Sequence, residues 1–146
     1  MRSLSIAWQR LVDSGGRTCD RCGATYEGLR QAVAKLEEAL RPLGIEITFE
    51  TREMDRNSFT ADPSQSNRVW IAGKPIEEWL AARVGSSPCC SVCGDSECRT
   101  IELGQEVFEA IPPELVLKAA LIAASELVGP GTPESPRQGK PECCSD

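Results

Sequence analysis

The sequence predicts an α/β fold built on a mixed central sheet flanked by helices. Two observations carry that prediction. Over residues 3–51 an alternating apolar segment, a long amphipathic segment and a second alternating segment follow one another, the order of strand, helix and strand. Further on, "RVWIAGKP" reads as a strand entering a tight turn, and helical patterning returns at residues 112–129.

The elements follow in order. "SLSIAWQRLV" (residues 3–12) sets Leu4, Ile6 and Trp8 at alternate positions, with Leu11 and Val12 closing a strand. Asp13 to Arg17 form a polar, glycine-containing loop that ends at "TCDRCG". Behind it, Leu29, Val33, Leu36, Leu40 and Leu43 fall at helical spacing on one stripe, and Pro42 and Gly44 stop the helix. "IEITFET" is the second strand, and residues 52–67 read as a polar connection. After the Gly-Lys-Pro turn comes a brief strand or a helix through Trp79, then a cysteine-rich loop over residues 85–99. "RTIELGQEVFEAI" reads as a hairpin about Gly104-Gln105. "PPELVLKAALIAASELVG" is a proline-opened helix, apolar on most faces and so expected to be buried. Residues 1–128 thus make one domain. Residues 129–146, rich in Pro, Gly and Ser, make a tail expected to be disordered.

A chain of 146 residues can bury a real core without covalent staples. The N-terminal "LSIAW" is too short for a signal-peptide core, and no stretch approaches the span of a bilayer. The expected compartment is therefore cytoplasmic, where thiols are kept reduced. Eight cysteines in such a chain point to metal or redox chemistry rather than a disulfide framework. A net charge of −6 provides no footprint for nucleic acid. Histidine is absent, which excludes a Cys-His nucleophile pair, a Ser-His-Asp triad and any histidine metal ligand. Sulfur must carry the chemistry.

The upstream pair sits between a strand and its helix. Cys19 falls at or just before the helix N-terminus and Cys22 in its first turn. Unpaired backbone N–H groups and the helix dipole favour a thiolate there, and Arg17 and Arg21 add positive charge. Such a cysteine is expected to have a lowered pKa, while a partner three residues on can resolve a mixed disulfide.

With "TCDRCG" between the first strand and its helix, then "IEITFE", then "SNRVWIAGKPIEEW", the chain resembles the thioredoxin superfamily. The run through "CCSVCGDSECRT" is similar to an uncharacterised bacterial and archaeal family of thioredoxin-like proteins, a domain of unknown function. The resemblance covers roughly residues 3–128. It implies a three-layer sandwich, with Cys19 as the attacking thiol and Cys22 as the resolving one. Thioredoxins carry a cis-proline just before the third strand, facing the cysteine pair. Here those positions read Ser66-Asn67 and the nearest proline is Pro63, which points to a narrower substrate or to a metal role. The competing reading of Cys19 and Cys22 is a zinc knuckle, because "CDRCG" and "CSVCG" share one form and two knuckles make a ribbon site. A ribbon wants a hairpin after the first knuckle, whereas here a long helix follows.

"CCSVCGDSEC" brings Cys89, Cys90, Cys93 and Cys98 together as candidate ligands for zinc or an iron–sulfur cluster. Adjacent ligands are awkward, since neighbouring side chains of an extended chain point to opposite faces. The vicinal pair suits soft ions better, such as mercury or trivalent arsenic. The terminal "ECCSD" is similar to the vicinal cysteines that end mercuric reductases. Fully extended, the tail could carry Cys143 and Cys144 across about 45 Å to the core cysteines, within the chain or across a homodimer. A thiol relay among the three groups is a third reading, and an idle solvated end is the plain one for Cys143 and Cys144. Asp95 and Glu97 flank the cluster and disfavour a thiolate at Cys98. Trp8, Trp70 and Trp79 are expected in the core, and Glu37-Glu38 and Glu77-Glu78 on solvated helix faces.

The functional expectation is a thiol–disulfide oxidoreductase or redox protein. It would act through Cys19 and Cys22 on a partner protein or small thiol, with no cofactor, nucleic acid or membrane. The alternative is a soft-metal protein serving metal resistance, or a zinc-ribbon scaffold.

Overall fold

The computed structural model describes residues 2–12, 15–16, 20–88 and 97–128. Strand β1 (Arg2–Leu11) and strand β2 (Ile45–Met54) run parallel, paired without a break from Arg2↔Ile45 to Leu11↔Met54. Helix α1 (Asp20–Leu40) makes the crossover that parallel strands require. Alternation sends Leu4, Ile6 and Trp8 of β1 and Ile45 and Ile47 of β2 into the core, where the α1 stripe of Leu29, Ala32, Leu36 and Leu40 meets them. Leu43 leaves the stripe. A 3₁₀ turn over Arg41–Leu43 replaces the last helical turn and rotates Leu43 outward to 51% exposure, and Gly44 closes it at φ 70°.

The stretch read as a polar connection is structured. Strand β2 continues to Met54, and helix α2 (Arg56–Ala61) follows, with the Asp55 carboxylate accepting from Ser58 N at 2.8 Å. Phe59 is its buried residue. Asp62 then caps a 3₁₀ turn at Pro63–Gln65. Strand β3 (Arg68–Ile71) lies antiparallel to β1 and turns at Ala72-Gly73 into the two-residue β4 (Lys74–Pro75), so the sheet order is β2-β1-β3-β4. Helix α3 (Ile76–Leu80) begins at once, resolving the strand-or-helix ambiguity through Trp79 in favour of a helix.

A second, antiparallel sheet is inserted next: β5 (Arg83–Pro88), β6 (Glu97–Leu103) and β7 (Glu106–Phe108). The expected hairpin about Gly104-Gln105 joins β6 to β7. The loop expected over residues 85–99 is narrower than that. Gly85–Pro88 and Glu97–Arg99 are paired strand, from Gly85↔Thr100 to Pro88↔Glu97. Helix α4 (Pro113–Val128) closes the domain and packs on α1 and α3. It buries one face, mainly Ala119, Ala120, Ala123 and Ala124, and leaves Leu121 48% exposed, so it is not buried all round.

The described elements form the expected mixed α/β fold, with two sheets and four α-helices. Helices α1 and α4 cover the face of the first sheet that carries Leu4, Ile6 and Val69. On the opposite face Ser3, Ser5, Glu46, Thr48, Glu50 and Arg52 are exposed, whereas Ala7, Leu11 and Met54 on that same face are buried. The tryptophans divide accordingly. Trp8 is core. Trp70 is half-buried between the guanidinium groups of Arg52 and Arg68, at 5.1 and 4.9 Å from its ring. Trp79 donates to the Ile71 carbonyl at 2.7 Å, with Lys74 over its ring.

Candidate functional site

Three chain segments meet at the start of α1: the end of β1, the first helical turn, and the bend that enters β3. Cys22, the third residue of α1, is 1% exposed and carries a thiol. Its Sγ lies 3.8 Å from the Oγ of Ser66, which is wholly buried. Ser66 Oγ accepts the backbone N–H of Leu11 at 3.0 Å. That bond occupies an acceptor site of the hydroxyl and leaves its proton available to the sulfur. The serine at the expected proline position therefore faces the motif.

Asn67, next in the chain, takes the left-handed conformation at φ 58°, which asparagine tolerates better than most residues. Its Oδ1 accepts from Trp8 Nε1 at 3.3 Å and its Nδ2 donates to the Glu109 carbonyl at 3.1 Å, tying β1 to the segment before α4. That segment is also pinned to α1. Ile111 N donates to Thr25 Oγ1 at 3.0 Å, and a Cβ on Gly28 would lie 2.7 Å from the Ile111 carbonyl oxygen. Only glycine allows the helix so close.

Arg21 stands between the two motif cysteines. Its side chain is 8% exposed and turns toward the inserted sheet. Nη2 donates to Ser87 Oγ and to the Pro88 carbonyl, each at 2.9 Å, and lies 3.4 Å from Glu109 Oε2. Nη1 is buried without a partner among the described residues. Pro88 is the residue before Cys89, so the first turn of α1 holds the root of the cysteine-rich segment. Ser87 pairs directly across the strands with Cys98, which is 1% exposed and disulfide-bonded.

Of the residues singled out in the sequence, the structure brings Cys22, Arg21 and Ser66 into one site, with Cys98 on the strand beside it. Cys19, one position before the first helical residue, lies outside the described residues, as do Arg17, Cys89, Cys90, Cys93, Cys143 and Cys144. Among the described residues no group of three or more acidic or sulfur side chains is arranged to hold a metal ion. No helix among them is long and apolar enough to cross a membrane.

Two features escaped sequence reading. Glu77, expected on a solvated face, is buried and ion-paired to Arg99 of β6, which also donates to the Ser64 carbonyl at 2.8 Å. Burial pulls the Arg99 pKa below the ordinary arginine value, against the pull of Glu77. Nothing in "PIEEWL" marks one glutamate as inward, because its partner is 22 residues away. The other is a cavity of about 190 Å³ beside Gly23, lined by Trp8, Arg10, Tyr26 and Thr51. Trp8 stacks on Tyr26 at 5.4 Å, and the Arg10 guanidinium sits 4.8 Å over the Trp8 ring. It gives the motif helix an aromatic, cationic flank.

Compared with known proteins, residues 4–120 match the family described as a domain of unknown function, DUF2703. The chain belongs to the DUF2703 family. This DUF2703 chain is 46% identical over 114 residues to a protein of Archaeoglobus fulgidus described as uncharacterised, an alignment covering 77% of this chain and 82% of the relative. No solved structure matches it. The matched family region spans the motif helix, Ser66 and the inserted sheet that Arg21 holds.

Proposed function

We propose that this DUF2703 protein is a thioredoxin-like thiol–disulfide exchange protein working through Cys19 and Cys22. The observation that carries the reading is the placement of Cys22 in the first turn of α1 with its sulfur 3.8 Å from Ser66 Oγ. The sequence of β1, α1, β2, then β3, a glycine turn and β4, supports the thioredoxin-like resemblance.

The chemistry assigned to the chain runs in two displacements. Cys19 thiolate attacks one sulfur of a substrate disulfide, a mixed disulfide forms, and the other substrate sulfur leaves as a thiolate. Cys22, as thiolate, then attacks Cys19 Sγ, and the remaining substrate sulfur leaves. The motif ends oxidised and the substrate reduced by two electrons. Burial of Cys22 suits the resolving role, because a sulfur hidden from solvent reacts with its neighbour and not with bulk disulfides. The Ser66 hydroxyl is the donor that stabilises the Cys22 thiolate as it forms.

The experiment is equilibration of the protein in dithiothreitol buffers of graded poise, quenched with an alkylating agent and read by mass spectrometry. A two-electron couple confined to Cys19 and Cys22, and a persistent mixed disulfide at Cys19 in Cys22→Ser, are expected. Two cysteines that never form a disulfide with each other at any poise would remove the reading. The soft-metal reading falls on Cys89, Cys90 and Cys93, which lie outside the described residues, and on Cys98, whose disulfide would have to be reduced before its sulfur could ligate as a thiolate.

A further inference from the structure

The first sheet ends in two unlike edges. On one side β4 is two residues long and contains Pro75, whose missing N–H makes it a poor template for another strand. On the other side β2 runs for ten residues, and no strand among the described residues pairs with its outer side. The ladder to β1 shows which groups that edge offers. Arg2 N donates to the Gly44 carbonyl and Val12 N to the Met54 carbonyl, and the register between them is unbroken. Successive residues of a strand turn their N–H and C=O groups to opposite sides. The even-numbered residues of β2 therefore face β1, and Ile45, Ile47, Phe49, Thr51 and Glu53 present theirs outward. Neither a proline nor a bulge blunts this row. A cavity of about 300 Å³ runs beside it, with Glu37, Arg41, Ile45 and Ile47 in its lining.

We propose that the outer edge of β2 is the docking surface for a second copy of this chain, paired antiparallel about a twofold axis at Phe49. The proposal goes beyond the exchange reading and does not depend on it. An axis at Phe49 overlaps nearly the whole strand, whereas one at Ile47 or Thr51 shortens the overlap. It opposes Phe49 to itself, Ile47 to Thr51 and Ile45 to Glu53, all residues whose backbone groups point outward. These exchange about ten hydrogen bonds, the number a typical interface carries. Charged side chains on an edge ordinarily deter pairing, but here their order is self-complementary. Glu46, exposed on the open face, comes opposite Arg52 of the second copy, and the symmetry makes that pair twice. It is a non-hydrogen-bonded pair, the kind in which side chains lie closest. Glu50 comes opposite Thr48, so no like charges are opposed. On the helix-covered face Glu53 of the second copy arrives beside Arg41 at the cavity. The half-buried Phe49 rings, each 6.3 Å from Tyr26 in a stacked contact, meet at the axis.

The test is sedimentation equilibrium of the full chain in reductant, which keeps cysteines from linking copies. A dimer at micromolar concentration is expected. Thr51→Pro removes one outward N–H and leaves the ladder to β1 intact, because an edge strand tolerates proline where the N–H faces away. It should weaken association at least tenfold while circular dichroism shows a folded monomer. Glu46→Arg should weaken association by a similar factor, and Glu46→Arg/Arg52→Glu should restore it. Amide exchange needs no variant: the Phe49 and Thr51 N–H groups should exchange slowly in the dimer and quickly after dilution to monomer. A chain that stays monomeric, a dimer that Thr51→Pro leaves unchanged, or slow exchange of those amides in a monomer would overturn the proposal. A double variant no better associated than Glu46→Arg would overturn the register.

Discussion

The Ser66 hydroxyl and the Cys22 thiol face each other across 3.8 Å of fully buried space, although 44 residues separate them in the chain. The contact joins the loop entering β3 to the helix that begins at the cysteine motif. It gives a short polar side chain a station against the first turn of α1.

Replacing Ser66 by alanine tests that station. The Leu11 N–H loses its bond to Ser66 Oγ in the interior, and a lost hydrogen bond of this kind costs about 0.5–1.5 kcal/mol. Urea unfolding should show that loss. The mixed disulfide at Cys19 should also persist longer, because Cys22 loses the donor that steadies its thiolate. Unaltered resolution kinetics in a stably folded Ser66→Ala would separate the serine from the chemistry.

The Glu77–Arg99 pair fastens the inserted sheet to α3. Glu77→Ala leaves a buried guanidinium without its counter-ion and should cost about 3–5 kcal/mol. Glu77→Leu combined with Arg99→Met should recover most of that stability, which a thermal melt of the single and double variants reads directly.

Gly28→Ala should be destabilising by about 1–3 kcal/mol, since its methyl meets the Ile111 carbonyl oxygen at 2.7 Å and backbone must move. Alanine is otherwise the better helix former, so a stabilised variant would contradict the close approach of α1 to the segment before α4.

Acid sensitivity follows from the caps of α2 and the turn after it. The Ser58 N–H and the Ser64 hydroxyl hold the carboxyls of Asp55 and Asp62 below the ordinary aspartate value of 3.8. A depressed folded-state pKa contributes stability that is present above the unfolded value and lost as pH falls through the folded one. Asp55→Asn with Asp62→Asn, whose amides still cap, should flatten the stability profile below pH 3.8 and leave neutral stability close to wild type.

What the sequence revealed and what it hid have physical causes. Period-two patterning in "SLSIAWQRLV" and "IEITFET" and the α1 stripe exposed the β1-α1-β2 unit, because one face of each element is buried and the other wet. The connection before β3 hid a helix because a six-residue element has one core residue, Phe59, and no period to detect. Asp55 followed three residues later by Ser58 was the available signal. Coverage of the other sheet face could not be read from composition, since Ser3, Ser5, Thr48 and Glu50 are exposed there while Ala7, Leu11 and Met54 on the same face are buried. In the site, the Cys-x-x-Cys spacing announced the motif and Ser66 announced itself by standing where a proline was expected. The Arg21 clamp was legible only as charge, because its partners Ser87, Pro88 and Glu109 come from an insertion more than 60 residues on.

The most direct measurement is the alkylation rate of each cysteine at neutral pH, resolved by mass spectrometry on the reduced, metal-stripped chain. Cys19 should react at least tenfold faster than free cysteine and Cys22 far more slowly. A Cys19 no faster than free cysteine would contradict the account at its root.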